Sequence, residues 1–90
     1  MSNFTGMDIA GVKNLATQMR NKADEIESLM TQLTGQLNST QWVGNDRQQF
    51  EGDWSSQHCT ALRNVSGALR DAATRADNNA TQQENTSNIG

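Results

Sequence analysis

The chain has 90 residues, and its 10 acidic and 7 basic side chains give a formal charge of −3. That length allows one domain at most, and the apolar fraction stays below the roughly 45–50% of globular domains even when glycine is counted. A domain this small is marginal alone, so we expect a helical hairpin that shares its core with a second chain. The acidic balance argues against nucleic acid as a partner. No run approaches the ~18 consecutive apolar residues of a membrane span, so we expect no membrane insertion.

A heptad repeat predicts a first helix over residues 7–38. Its apolar positions alternate at spacings of three and four for about four heptads, which indicates the packing face of a long helix. These positions are Ile9, Val12, Ala16, Met19, Ala23, Ile26, Met30, Leu33 and Leu37. Thr5 and Asp8 form a capping-box candidate at the start of this helix, and residues 1–6 are a short lead-in.

The repeat breaks at residues 39–45, where Ser, Thr, Gly and Asn predict a turn. Asn45 is a candidate N-cap for a second helix over residues 46–77. Its many alanines would let the two helix backbones approach closely. The residues predicted to pack on the first helix or on a second chain are Phe50, Trp54, Ala61, Leu62, Val65, Ala68, Leu69 and Ala72.

Two long helices joined by a short turn must pair antiparallel. The predicted fold is therefore all-α: an antiparallel two-helix hairpin over residues 7–80 that dimerises into a four-helix bundle. The polar stretch 78–90 offers almost nothing to bury, and a disordered tail is predicted there.

No arrangement of residues predicts catalysis. His58 is the single His and adjoins the single Cys, Cys59, but neighbouring helical residues point about 100° apart. No second His or Cys completes a metal site, and no Gly-rich loop has phosphate-binding spacing. We therefore expect no enzyme activity, no metal and no cofactor. An amphipathic helix lying on a membrane is disfavoured, since the polar faces carry few Lys and Arg.

The most specific feature is Trp42-Val43-Gly44, which lies in the predicted turn. A Trp there can close the open end of the hairpin by packing over the adjoining helical turns, while Gly44 lets the chain reverse. The alternative is that an exposed edge of the Trp42 ring is recognised by a partner.

Two helices in a chain of this length with a central W-x-G turn resemble the WXG-motif family of small secreted proteins, the early secreted antigenic target-like substrates of type VII (ESX) secretion. The resemblance covers residues 7–80. It includes the stretch after the motif, where Phe50 and Trp54 provide aromatic residues. It implies a helical hairpin that forms an antiparallel four-helix homodimer or a heterodimer with a paralogous WXG protein. It also implies export in the folded state by the type VII secretion machinery.

The resemblance leads to an expectation about localisation. The chain begins without the charged and apolar regions of a Sec signal peptide, so secretion by a Sec-independent route after a cytoplasmic stage is expected. Family export signals include Tyr-x-x-x-Asp/Glu after the second helix, and this chain contains no Tyr. Export with a partner that carries the signal, or a signal completed from the W-x-G side, is therefore implied. The alternative is a cytoplasmic adaptor or chaperone for a co-encoded toxin or secreted partner.

Overall fold

Two helical arms lie side by side and antiparallel, so the protein is all-α. The structure, a computed structural model, describes residues 7–89. The first arm is helix α1, Ile9–Ser39. The second arm is helix α2, Asn45–Asp53, followed without a break by a π-helical turn, Trp54–His58, and helix α3, Cys59–Ile89. The molecule extends over 68 × 17 × 16 Å, as expected of two long paired helices.

Local hydrogen bonds explain the ends of α1. Asp8 is the N-cap, and its Oδ1 accepts a hydrogen bond of 3.0 Å from the backbone N–H three residues later. The predicted capping residue Thr5 lies outside the described residues, as does the whole lead-in 1–6. At the other end the Thr40 N–H donates to the carbonyl of Leu37 at 3.3 Å and closes the last turn.

The second arm begins at Asn45 because Gly44 serves as its N-cap. Gly44 has φ +117° and ψ −176°, a region essentially reserved for glycine. Its carbonyl accepts a hydrogen bond of 3.2 Å from the N–H of Gln48, which starts the helix. Asn45, the predicted cap, is thus the first helical residue.

The core between the arms consists of small side chains that recur every seven residues. They are Ala16 and Ala23 on α1, and Cys59, Ser66, Ala73 and Ala80 on α3, each at most 4% exposed. Small residues let the backbones approach so closely that Ser66 Oγ lies 3.3 Å from the carbonyl oxygen of Ala23.

The larger apolar residues of the predicted α1 seam flank this small-residue core. Leu33 is 41% exposed, whereas the others are half-buried: Ile9, Val12, Met19, Ile26, Met30 and Leu37. The contact between the arms therefore covers only part of the apolar surface of α1.

The contact face of the second arm lies one residue away from the predicted stripe. The π turn contains one residue more than an α-helical turn, since the Cys59 N–H donates to the carbonyl of Trp54, five residues back. A regular α-helix would have brought His58, four residues after Trp54, to the inner face. Because of the extra residue, Cys59 is buried there instead, and Leu62 and Leu69 remain half-buried. Five residues of the second arm that were predicted to pack are exposed within the single chain: Phe50, Ala61, Val65, Ala68 and Ala72.

The second arm also continues well past residue 77. Helix α3 runs to Ile89, which corrects the prediction of a disordered tail for residues 78–89. The reason is tertiary: Ala80 is fully buried, and Glu84 pairs with Lys13 at 2.9 Å. The long first arm thus supplies partners that the polar composition of this segment did not suggest.

Ion pairs join the arms along one edge of the hairpin, which we call the polar edge. The pairs are Lys13–Glu84 at 2.9 Å, Arg20–Asp77 at 2.6 Å, Asp24–Arg70 at 2.7 Å and Glu27–Arg70 at 3.1 Å. Each such exposed pair contributes little stability, but their antiparallel order fixes how the two arms are aligned.

Candidate functional site

The connection between the arms, residues 40–44, forms the tip of the hairpin. Trp42 and Phe50 pack there with ring centroids 5.4 Å apart and ring planes tilted by 49°. Trp42 is 37% exposed and Val43 is 88% exposed. One part of the Trp42 ring therefore packs on the second arm, and another part faces solvent.

Arg47 ties the tip to the start of the second arm. Its Nη1 donates to the carbonyl oxygen of Trp42 at 3.2 Å, and its Nη2 pairs with Glu51 Oε2 at 3.2 Å. The side chain is only 20% exposed, so these bonds hold the backbone of Trp42 in place. The sequence did not predict the contact between Arg47 and the carbonyl of Trp42. It indicated only an Arg47–Glu51 pair at i,i+4, which is ordinary on a helix surface.

An apolar cavity of about 290 Å³ opens beneath the tip. Its lining residues are Leu33, Gln36, Leu37, Thr40, Trp42, Phe50 and Trp54. These side chains carry no carboxylate, imidazole, amine or thiol, and the hydroxyl of Thr40 donates to the carbonyl oxygen of Gln36 at 2.6 Å. The cavity suits an apolar side chain or ligand.

Trp54 is fixed at the base of this cavity. Its Nε1 donates to Thr34 Oγ1 at 2.8 Å, and that hydroxyl donates to the carbonyl oxygen of Met30 at 2.8 Å. The two bonds satisfy the polar atom of a half-buried ring and join the arms near the tip. The spacing predicted Trp54 on the packing face, whereas Thr34 occupies no seam position and was not predicted to take part.

His58 and Cys59 do not form a joint site. His58 is exposed, with its ring 6.2 Å from that of Trp54, whereas Cys59 is 4% exposed in the core. Within residues 7–89 no three His, Cys, Asp or Glu side chains are grouped so that they could hold a metal ion.

The polar edge contains one distinctive cluster around Glu27. The Ser66 hydroxyl, 2.8 Å from Glu27 Oε2, and then the Arg70 guanidinium hold the pKa of Glu27 below its ordinary value. Hydrogen bonds to Asp24 and then to Glu27 raise the pKa of Arg70. The cluster joins the two arms, because Ser66 and Arg70 on α3 both contact Glu27 on α1.

The opposite edge is apolar. Around the axis of α1, Lys13, Arg20 and Glu27 lie about 40–60° to one side of the core alanines Ala16 and Ala23. Leu15 and Leu29 lie about 100–120° to the other side. On the second arm Val65 stands in the same relation to Ser66. Leu15, Leu29 and Val65 are 45–50% exposed. We call the following set the apolar edge: Leu15, Met19, Ile26, Leu29, Leu33, Leu62, Val65 and Leu69.

Comparison with known proteins gives no match to a family model, to a curated protein or to a solved structure. Across the described part of the chain, no helix has the length and apolarity needed to cross a membrane.

Proposed function

We propose that this chain is a small non-enzymatic helical-hairpin protein of the WXG-motif type. It is exported by, or co-secreted through, a type VII secretion system, and it acts by dimerisation and partner binding. The observation that carries the proposal is Trp42-Val43-Gly44 between two long antiparallel helical arms. Its partners are a second copy or a paralogous WXG protein, together with the secretion machinery.

Two surface features support a binding role. The tip offers the exposed part of Trp42 above an apolar cavity of about 290 Å³. The apolar edge leaves several large side chains 41–50% exposed, although scattered single exposures are the rule for monomers. An apolar tip and an apolar edge on one narrow hairpin are expected of a protein that works by being bound.

A second candidate function is a cytoplasmic adaptor or chaperone for a co-encoded toxin or secreted partner. The observation that favours it is the lack of Tyr in the chain, because the Tyr-x-x-x-Asp/Glu export signal of the WXG-motif family then has no counterpart. The two functions share the fold and the binding surfaces, and they differ in where the protein ends up.

Export decides between them. The tagged full chain is followed in cell pellets and culture supernatants of the producing bacterium, with and without the secretion ATPase. We expect the chain in the supernatant only when the ATPase is present. A chain that stays in the pellet while other substrates are exported favours the adaptor.

Trp42→Ala tests the tip directly, with Val43→Ala as the matched control. The Val43 side chain is the more exposed of the two and occupies the variable position of the motif. Because the Trp42 ring is only partly buried, its removal should cost less than the ~3 kcal/mol of a fully buried aromatic. We expect Trp42→Ala to fold but to be lost from the supernatant, and Val43→Ala to be exported. Export of both variants would assign Trp42 a packing role alone.

A further inference from the structure

We propose that the cavity beneath the tip binds one aromatic side chain from a basic segment of a partner protein. The ring of that side chain enters the cavity, and Lys or Arg residues beside it face the carboxylates of α2. The inference rests on the partner binding in the proposed function, and it adds the place of contact and the chemistry of the partner.

A change of residue size along the first arm explains why a cavity opens at this end. Ala16 and Ala23 in the core are followed, at the same heptad position, by Met30 and Leu37. Larger side chains at a contact hold helix axes further apart, and α2 approaches α1 less closely than α3 does. The wider end is not filled by its own side chains, which leaves the cavity of about 290 Å³.

The size and lining of the cavity fit one aromatic side chain. An apolar cavity of roughly 150 Å³ is enough to hold benzene, so about 290 Å³ leaves room for a ring and its attachment to a backbone. The rings of Trp42, Phe50 and Trp54 form part of the lining. Aromatic rings pack favourably on one another when they are offset or edge-to-face, so these walls favour a ring as the occupant.

The cavity is open to solvent, which favours a side chain of a protein over a free compound. Two of the lining rings, Trp42 and Phe50, are 37% and 45% exposed. A small-molecule site usually buries roughly 70–90% of its ligand, which so open a cavity does not provide. An anchoring side chain is instead covered on its outer side by the segment that carries it, and such anchors in pockets dominate protein interfaces.

The charge around the cavity is negative. Residues 33–54, the range that contains the lining, include three carboxylates and one Arg, a net charge of −2. The Arg, Arg47, is already held by its bonds within the tip. Asp46 and Asp53 lie one turn before and one turn after Phe50 on the same face of α2, and neither forms an ion pair among the described residues. Charge complementarity therefore calls for a basic partner segment.

The probe is the synthetic peptide Lys-Lys-Ala-Phe-Ala-Lys-Lys, added to the full chain. Trp42 and Trp54 are the two Trp of the chain and both line the cavity, so their indole N–H signals in a heteronuclear NMR spectrum report its occupation. We expect a saturable shift of both signals. Peptides with Ala in place of Phe, or with Glu in place of every Lys, should bind at least tenfold more weakly.

Three results would overturn the proposal. The first is no saturable shift of either indole signal with the basic Phe peptide. The second is equal binding of the Glu peptide, which would remove the charge of the partner. The third is toluene binding as tightly as the Phe peptide, which would assign the cavity to free apolar compounds.

The contribution of the α2 carboxylates is tested with Asp53→Asn, and Asp71→Asn is the matched control. Both changes remove one carboxylate from the second arm, and among residues 7–89 neither side chain forms an ion pair, but Asp71 lies far from the tip along α3. Asp53→Asn should bind the peptide severalfold more weakly, and Asp71→Asn should bind it like the wild type. Equal affinity of the two variants would contradict the proposed role of charge.

The aromatic wall is tested with Phe50→Ala, and Gln49→Ala is the matched control. Phe50 is 45% exposed, so its variant should keep its helical circular dichroism while binding the peptide at least tenfold more weakly. Gln49 is exposed and does not line the cavity, so its variant should bind normally. Unchanged binding by a folded Phe50→Ala would refute the site, and the peptide series decides the proposal if that variant does not fold.

Peptide binding is measured on the purified chain without any secretion machinery. A chain that binds the peptide but is never exported contradicts the export proposal alone. A chain that is exported but does not bind the peptide contradicts this inference alone.

Discussion

Ser66 on the second arm donates a hydrogen bond to Glu27 on the first, with 2.8 Å between Ser66 Oγ and Glu27 Oε2. Ser66 is 1% exposed and is the one hydroxyl in the small-residue core. The carbonyl of Ala23, one turn before Glu27, lies 3.3 Å from the same oxygen. Both acceptors lie within one turn of α1. Ser66 can therefore reach them only when the two arms are aligned as they are here.

Ser66→Ala should lower the free energy of unfolding by about 1 kcal/mol, since it removes a hydrogen bond while the smaller side chain still fits the core. The control is Ser28→Ala on the exposed surface of α1, which should change stability by no more than about 0.5 kcal/mol. Urea unfolding followed by circular dichroism measures both. Equal stability of the two variants would mean that the buried hydroxyl contributes nothing.

Glu27 should make stability depend on acid. Its pKa is held below the ordinary value of 4.5, first by Ser66 and then by Arg70. The stabilisation is thus fully present above the unfolded pKa and is lost as the pH falls through the lower folded pKa. Glu27→Gln should therefore flatten the loss of stability below pH 4.5, whereas Glu25→Gln should leave it in place. The measurement is the free energy of unfolding of both variants at a series of acid pH values. The same pH dependence in both variants would contradict this role of Glu27.

The Trp54–Thr34 hydrogen bond should act as one unit. Trp54→Phe removes the indole donor, and Thr34→Val removes the acceptor while keeping the shape; each should cost about 1 kcal/mol. The double variant should cost clearly less than the sum of the two. Additive losses in chemical unfolding would show that the 2.8 Å contact does not join the arms energetically.

Gly44 and Gly67 should respond oppositely to alanine. Neither has an atom within 4 Å of an added Cβ, so only the backbone distinguishes them. Gly44→Ala should cost about 1–3 kcal/mol, because its φ of +117° is strained for any side chain. Gly67→Ala, within α3, should gain up to about 1 kcal/mol. Thermal unfolding measures both, and a stabilised Gly44→Ala would refute the assigned backbone conformation.

Removing residues 78–90 should loosen the start of the first arm. The truncation deletes Ala80 from the core and Glu84 from its pair with Lys13. Amide hydrogen exchange over residues 9–16 should rise. A shorter truncation that removes only residues 87–90 keeps both contacts and should leave exchange unchanged. Equal amide protection of residues 9–16 in both truncated chains would show that Ala80 and Glu84 do not stabilise the start of the first arm.

The first arm was predictable because its apolar residues recur at spacings of three and four over about four heptads, which places them on one face of a helix. The packing face of the second arm was not predictable. Its residues were assigned from Trp54 onward on the assumption of regular α-helical spacing. The π turn adds one residue, and Ser-Ser-Gln within it gives no signal of that. Two of the buried positions, Cys59 and Ser66, also look less apolar than exposed Val65, so composition pointed to the neighbouring stripe.

At the tip, the aromatic residues were predictable and the polar contacts were not. Trp42, Phe50 and Trp54 stood out in a chain with two Trp and two Phe. Arg47 and Thr34 act there through a backbone carbonyl and an indole N–H. Neither partner can be identified until the arms are folded against each other, because the contacts depend on tertiary distance.

The π turn has a consequence for how this chain can change in length. Beyond Trp54 the second arm is equivalent to a regular α-helix that carries one inserted residue. Loss of Ser55, Ser56 or Gln57 would give an uninterrupted helix and leave every later core residue facing α1. Loss of one residue further along α3 would instead rotate all that follows by about 100° and turn the alanines of the core outward. A single-codon deletion is therefore compatible with this fold at residues 55–57 and disruptive beyond them.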